Sequence, residues 1–590
     1  MGKRRTRQKA SPRHHSNTAR GAAETGATKK GWAGRLRIAL VYPNTYAVGM
    51  SNLGFQTVYQ QLNAFDGVVC ERAFLPDAAA GRPRGAVVSE ESARPLTDFD
   101  LIAFSVAFEN DYPNVLSLLA IAGLPLRAND RGAPFPLVVA GGVTCFLNPE
   151  PLAAFVDLFL LGEAEPILPT LVARLAAGDP KSEAGRRQLL LEIAREVPGA
   201  YVPRFYAASY LADGTLAALE TSADVPTRIQ RIFAADLKRL PTETAILTEH
   251  TTFDATHLVE VSRGCPHGCR FCSAGYIYRP PRFRPLELLK AQVDRAKDHT
   301  DRIGLVGAAV SDLPELAALC RHGAGNGLAF SFSSLRADAL GAPLIEQLRR
   351  SGVKTATIAP DAGSERMRRV INKGIDEEQI LTAAEALVAG GIPNLKLYFM
   401  VGLPSETDAD IEAITRLVKK IKHHFLRSSR ARGRMGDITV SLSSFVPKPA
   451  TPFQWAPMAE EKPLKARLKK IKSDLNRVAN VRVHSDMPRW AFIQALFARG
   501  DRRVADLLEA AHRNQGNWPQ TFKAAPLNPQ FYVYRERLRD EALPWDFIDH
   551  GVRKSFLWNE YQRALEAKPT PPCPATPETC SICGACNGKG

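Results

Sequence analysis

Long apolar runs are missing from this chain. No stretch of its 590 residues stays apolar for the roughly 18 that a helix needs to cross a bilayer, so no transmembrane helix is expected. The N-terminus equally lacks the apolar segment of a secretory signal, and the expectation that follows is a cytoplasmic protein with no membrane partner. Cysteine is scarce, with ten residues in all. In a reducing compartment, closely spaced thiols are more often metal ligands or catalytic groups than disulfides. Histidine is absent between His15 and His250, which removes imidazole ligation from the front of the chain. No internal repeat is evident. A composition of 45% hydrophobic and 23% charged residues excludes a fibrous or wholly disordered protein.

Positive charge is plentiful but unevenly placed. The net charge is +16, and residues 1–35 carry ten Lys or Arg against Glu24 alone. This segment is polar and without hydrophobic periodicity, so residues 1–35 are expected to be a disordered basic tail. Such a tail is compatible with RNA contact, but no aromatic and basic recognition module accompanies it, and a solvated tail is the commoner case.

From Leu36 onward, short apolar runs alternate with amphipathic segments. "LRIALVYP", "LIAFSVAF", "PLVVAGGV" and "VDLFLLGE" read as parallel strands buried on both faces, which makes residues 36–200 a doubly wound α/β sheet. Ligands of such sheets bind at the carboxyl ends of the strands, where this chain places Ser105, Gly141, Gly142, Gly162 and Glu163. Residues 201–250 read as a connector holding a small hairpin with Asp213 and Gly214 at its turn. Residues 251–455 restore strand and helix alternation in "HLVEVSR", "RIGLVGAA", "LAFSFSS", "KTATIAP", "LKLYFMV" and "DITVSLSSFVP". Six such units predict a curved, mostly parallel sheet, a partial (β/α)6 barrel. Residues 456–568 read as a charged helical extension, and residues 569–590 as a Cys-rich tail behind a proline-rich link.

Three thiols crowd into "CPHGCRFC": Cys265, Cys269 and Cys272. A structural zinc site closes with four protein ligands, and only His267 stands nearby, between the first two cysteines, where four-way convergence is awkward. An iron-sulfur cluster offers another solution, because three thiolates hold three irons and leave the fourth open.

This motif after a strand, with Phe271 before the last cysteine, resembles the cluster motif of the radical SAM superfamily. The resemblance implies a 4Fe-4S cluster on Cys265, Cys269 and Cys272. It further implies S-adenosylmethionine chelated on the open iron, its reductive cleavage to a 5'-deoxyadenosyl radical, and a reductant such as flavodoxin or ferredoxin. It implies cofactor contacts from Phe271 and, at successive strand ends, from Gly307 and Ser311, Ser333 and Arg336, Asp361, and Gly402 with Leu403. Arg336 suits the cofactor carboxylate because a guanidinium binds carboxylate at two points. Asp361 stands where many relatives carry Glu.

The front sheet resembles the cobalamin-binding domain that precedes many radical SAM barrels, but the loop histidine that ligates cobalt in that family is absent from "NTYAVGMSNLG". The domain either binds cobalamin without a histidine ligand or has lost the cofactor. The tail quartet Cys573, Cys580, Cys583 and Cys586 completes an all-thiolate set, either for a second iron-sulfur cluster or for structural zinc, and its C-x2-C-x2-C run is nearer to ferredoxin spacing. Cys70, Cys145 and Cys320 read as inert packing residues. With cobalamin the reaction would be methyl transfer to an unactivated carbon. Sulfur insertion and RNA modification are alternatives, and a noncatalytic iron-sulfur or zinc scaffold is the reading from another class. The sequence does not identify the substrate.

Overall fold

The first apolar run forms β1 (Leu36–Tyr42), buried from Ile38 to Tyr42. The computed structural model describes residues 24–586 apart from 77, 80–81, 84–85, 179, 333–334, 431–435 and 575–579. After β1 come β2 (Val68–Phe74), β3 (Leu101–Ser105), β4 (Leu137–Gly141), β5 (Leu158–Leu160) and β6 (Ala200–Tyr201). They form one sheet in the order β2-β1-β3-β4-β5-β6. β1 to β5 are parallel and β6 is antiparallel to β5. The register runs Leu36↔Val68 on one side of β1 and Ile38↔Leu101 on the other.

The covering helices are α1 (Leu53–Ala64), α2 (Tyr112–Ile121), α3 (Ala164–Ala177) and α4 (Glu183–Glu196). α1 begins where the Asn52 side chain accepts a hydrogen bond from the Phe55 N–H, the usual device for satisfying an orphan donor. The chain winds to opposite sides from β1, so a crevice opens at the carboxyl ends of β1 and β3. This is the doubly wound front sheet that the apolar runs predict.

The second unit is built on β7 (His257–Glu260), β8 (Arg302–Val306), β9 (Ala329–Phe332), β10 (Thr355–Asp361), β11 (Asn394–Val401) and β12 (Ile438–Ser444). β7-β8-β9 form one parallel sheet and β10-β11-β12 another, joined by a parallel bridge from Leu335 to Ile358. Intervening helices are α5 (Leu286–Ala296), α6 (Leu316–Gly325), α7 (Ala342–Arg350), α8 (Glu377–Ala389) and α9 (Asp408–Arg430). The six units curve into an incomplete barrel. Along β11, Leu395, Leu397, Phe399 and Val401 are buried. The period of two therefore turns Lys396, Tyr398 and Met400 to the open concave side.

After the barrel come α10 (Glu461–Leu475), β13 (Val481–Ser485), α11 (Pro488–Arg499), α12 (Val504–Arg513) and α13 (Lys554–Leu565). The extension is helical as expected and carries one short strand, β13. It adds to β12 in parallel, Ile438↔Val481, because Val481 and Val483 alternate with Arg482 and His484 and supply one apolar face. One correction concerns the basic tail. Residues 1–23 lie outside the described residues, but Glu24–Arg35 are packed. Glu24 pairs with Arg72 at 2.7 Å, Thr25 bridges Leu247, and the Trp32 indole donates to Glu71 at 2.7 Å. Partial burial of that indole and neutralisation of the buried Glu24 carboxylate outweigh the solubility of the segment.

The connector is less loose than its composition indicates. Its hairpin forms with Asp213 and Gly214 at the turn, Tyr206–Tyr210 pairing with Leu216–Thr221. Beyond the hairpin, Ile232 bridges Gly162, Glu243 bridges Val259, and Ile229–Gln230 pairs with Ile548–Asp549. The helical extension also grips the front sheet: Asn148 donates to the carbonyls of Ala498 and Gly500, and Arg127 pairs with Asp506 and Glu509. Among the described residues no helix is long and apolar enough to cross a membrane.

Candidate active site

The loop that follows β7 is closed at its base by a two-residue ribbon, Ser262–Arg263 against Arg282–Phe283. Gly264 has φ +80°, and a Cβ there would meet the Tyr278 carbonyl oxygen at 2.5 Å, so only glycine fits the turn. Inside the loop Cys269 is buried, and Cys265 and Cys272 are half-buried. The loop backbone is held from outside. Arg270 donates to the carbonyls of Arg369 and Val370, Asn372 and the Tyr276 hydroxyl both donate to the Gly268 carbonyl, and the His267 ring meets Asp312 at 2.7 Å.

The three thiols respond to one another electrostatically. Burial, and then the neighbouring Cys269 and Cys272, push the Cys265 thiol up to about 12. Burial pushes Cys269 up to about 11 against the opposing charge of Lys373, and burial likewise raises Cys272. Thiols held protonated this way become ligands only beside a cationic core, which deprotonates them outright. The nearby backbone N–H groups of Ala274 and Gly275 at Cys272, and of His267 at Cys265, act in the opposite direction to burial and lower the two thiols. Among the described residues no three His, Cys, Asp or Glu side chains converge on a single-ion site. A cluster that takes one thiolate per iron corner does not require such convergence. The donor set fits an iron-sulfur cluster.

Around this loop the structure gathers part of the expected contact set. Asp361, at the end of β10 with φ +61°, accepts from the Lys373 ammonium at 2.6 Å, and both groups lie within electrostatic reach of Cys269. Arg336 lies beside the same cysteine. Its guanidinium fork is engaged by Asp338 at 3.0 and 2.8 Å and reaches the Lys373 carbonyl at 3.3 Å. The Ser311 hydroxyl accepts from the Arg336 N–H at 3.5 Å. Ser333 lies outside the described residues. Gly307 ends near β7, where a Cβ would meet the Ser262 hydroxyl at 2.7 Å. Phe271 is half-buried against the core. A Cβ on Gly402 would meet Ala459 at 3.0 Å, and Leu403 is buried. The Gly402 N–H donates to Glu406 at 2.7 Å, and burial holds the Glu406 carboxyl up at about 7.

Several residues escaped sequence reading. Lys373 has no motif of its own, and only the fold returns it to Asp361. Lys396, Tyr398 and Met400 were legible as the polar half of an alternating strand, as were Ser441 and Ser443 on β12. Arg263 and Arg282 flank the cysteine motif and together hold Glu163.

A cavity of about 610 Å3 lies between the front sheet and this loop. One end is an apolar slot bounded by Ile38, Leu40, Leu101, Ala103 and Val139 of the sheet and by Val58, Leu62, Leu168 and Val172 of α1 and α3. The other end reaches Gly264, Ala274, Tyr278 and Gly307. The strand-end residues Ser105, Gly141, Gly142, Gly162 and Glu163 line its middle. Gly142, at φ +105°, would put a Cβ 2.4 Å from the Val106 carbonyl oxygen, so it is also a tight turn. No histidine is among the lining residues.

The tail cysteines Cys573, Cys580, Cys583 and Cys586 line a separate small cavity together with Gly268, Tyr276 and Arg279 of the first cysteine loop. Cys70, Cys145 and Cys320 are fully buried in apolar surroundings.

Fold and site define a class: a partial (β/α)6 barrel whose first strand leads into a three-cysteine loop, preceded by a doubly wound sheet, is the architecture of radical SAM enzymes. Residues 259–418 match the Radical SAM superfamily model, and residues 54–203 match that of Radical SAM proteins, N-terminal. An uncharacterized protein of Methanocaldococcus jannaschii is 30% identical over 530 residues, which cover 88% of this chain and 98% of that protein. The chain belongs to the radical SAM superfamily and is an enzyme of that class. Among solved structures, the cobalamin-dependent S-adenosylmethionine radical enzyme OxsB with aqua-cobalamin and S-adenosylmethionine bound is 14% identical, with TM-score 0.44 over 90% of this chain and 79% of that one. Coproporphyrinogen III oxidase (HemN) from Escherichia coli is 15% identical, with TM-score 0.29 over 37% of this chain and 52% of that one.

Proposed function

We propose that this enzyme is a cobalamin-dependent methyltransferase acting on an unactivated carbon, with its second cofactor in the cavity between sheet and barrel. The observation that carries the reading is the continuity of that cavity: one space of about 610 Å3 runs from the slot beneath the front sheet to the edge of the three-cysteine loop. A pocket meant only for the front domain has no reason to reach Gly264 and Gly307. The slot is apolar on both walls and open at the switch point, which suits a flat heterocyclic appendage of a large cofactor. No imidazole lines it, so cobalt would have no histidine ligand from these residues.

Cys265, Cys269 and Cys272 would hold a 4Fe-4S cluster, and the bound cluster and S-adenosylmethionine supply radical chemistry while cobalamin supplies a methyl carrier. The protein's own residues orient and shield. Lys373 and Asp361 place a cation and an anion beside Cys269, where the amino acid end of a zwitterionic cofactor needs both signs. Arg336 is within reach of that end if its fork exchanges Asp338 for the cofactor carboxylate. Tyr398, Met400 and Ser443 border the open side of the barrel, where a substrate would approach.

Anaerobic reconstitution with iron, sulfide and hydroxocobalamin tests the reading. The expected results are 5'-deoxyadenosine formation under reducing conditions, and a saturable change in the cobalamin absorption spectrum. Failure of the spectrum to change overturns the cobalamin assignment, and absence of 5'-deoxyadenosine with bound S-adenosylmethionine overturns the assignment of the three cysteines and their neighbours.

A further inference from the structure

We propose that the tail quartet, Cys573, Cys580, Cys583 and Cys586, holds a second iron-sulfur cluster that passes electrons into the first cysteine loop. The four thiols line one cavity of about 50 Å3. They surround this space without meeting at a single-ion point, since no three metal-ligating side chains among the described residues converge on one ion. Four thiolates around a small space suit a cubane with one thiolate per iron, whereas zinc draws its four ligands onto one centre.

The docking of the tail makes the relay specific. The Cys573 N–H donates to the Pro266 carbonyl at 2.8 Å, so one hydrogen bond ties a tail ligand to the residue that follows Cys265. Asn372 holds the two segments in register, donating to the Gly268 carbonyl at 3.1 Å and the Thr570 carbonyl at 3.0 Å, and accepting from the Thr570 N–H at 2.8 Å. Arg279 spans both sites as well. Its Nε donates to the Gly275 carbonyl at 2.6 Å, and its guanidinium lies within electrostatic reach of Cys573 and Cys583. A cation at that position offsets the negative charge of a cluster on four thiolates and favours its reduced form. The neighbouring Ile582 is 60% exposed, which leaves the outer side of the quartet open to a donor protein.

The step is a one-electron relay. A low-potential one-electron carrier protein of the flavodoxin or ferredoxin class reduces the tail cluster and is itself oxidised. The tail cluster then returns to its oxidised state by reducing the cluster of the first loop. No bond forms or breaks and no proton is transferred. This role rests on the assignment of Cys265, Cys269 and Cys272 to the first cluster, but the tail site does not depend on it.

The test compares the reconstituted full chain with two variants, Cys580→Ser/Cys583→Ser and Cys265→Ser/Cys269→Ser/Cys272→Ser. The parent should hold about eight irons and each variant about four, with a 4Fe-4S electron paramagnetic resonance signal surviving in each. In Cys580→Ser/Cys583→Ser, reduction of the remaining cluster by flavodoxin should be lost while reduction by dithionite is unchanged. One zinc in the tail, or unchanged iron on removing Cys580 and Cys583, overturns the cluster. Flavodoxin reduction as fast as in the parent overturns the relay. Iron retained in Cys265→Ser/Cys269→Ser/Cys272→Ser supports the tail site even where the first-loop assignment fails, and loss of all iron from that variant, with circular dichroism unchanged, counts against it.

Discussion

Glu163 and Arg282 form a two-point ion pair, at 2.6 and 3.1 Å, across 119 residues of sequence. Arg263, the cross-strand partner of Arg282, reaches the same carboxylate at 2.8 Å. The turn after β5 is thereby fastened to both strands at the base of the cysteine loop, and the two domains meet at a buried charge cluster.

Substituting Glu163→Gln should destabilise the protein by about 3 kcal/mol at pH 7, because the buried Arg282 guanidinium loses its carboxylate partner, while Arg263 keeps Glu165 and Glu260. Burial alone would raise this carboxyl, but Arg282 and Arg263 overcome that and hold it at about 2, below its ordinary 4.5. A depressed carboxylate stabilises fully above its unfolded value and stops doing so as pH falls through the folded one. The gap between parent and variant in denaturant unfolding should therefore be full above pH 4.5 and close as pH falls toward 2. A gap of the same size throughout would show that the charge does not matter.

Glu406 has the opposite sign. Its carboxyl is raised by burial to about 7, so between 4.5 and 7 the folded chain keeps a proton that the unfolded chain releases. Stability should fall as pH rises through that window. Glu406→Gln keeps an acceptor for the Gly402 N–H and should flatten this dependence, raising the melting temperature at pH 8 and leaving it nearly unchanged at pH 4. A parallel pH profile for parent and variant refutes the assignment.

Asn372→Gly retains the positive φ of 52° and removes the side chain that joins the cysteine loop to the tail. Loss of these buried hydrogen bonds should lower stability by about 2 kcal/mol. The more telling measurement is alkylation of Cys573 by iodoacetamide in the metal-free protein, which should become faster while alkylation of the buried Cys70 is unchanged.

Ala103→Trp places a ring into the apolar slot from β3. Cobalamin binding should be abolished in the absorption titration. Cleavage of S-adenosylmethionine to 5'-deoxyadenosine should continue, because neither Asp361 nor Lys373 lines the cavity. Equal affinity in parent and variant would place the cofactor elsewhere.

The sequence was most readable where one physical pressure acted alone. Strands buried on both faces made continuous apolar runs, and three thiols in a short loop left few chemical alternatives. It was least readable where long-range pairing decided the outcome. Val481 to Ser485 carry a strand's alternation, but the charged helices on either side masked it. Glu24–Arg35 look like a solvated tail until Arg72, Glu71 and Leu247 are brought alongside. Lys373 stands in a short basic segment and acquires its meaning only from Asp361.

The grip of the helical extension on the front sheet has a consequence for traffic. Asn148 is tied to Ala498 and Gly500 and Arg502 to Glu150, and at the end of the barrel Lys448 pairs with Glu109. Swinging the sheet away from the barrel would rupture all of these at once, several of them in dry surroundings. Whatever enters or leaves the space between the domains must therefore pass by small local rearrangements, and the unclosed flank of the barrel is the natural doorway for a bulky guest.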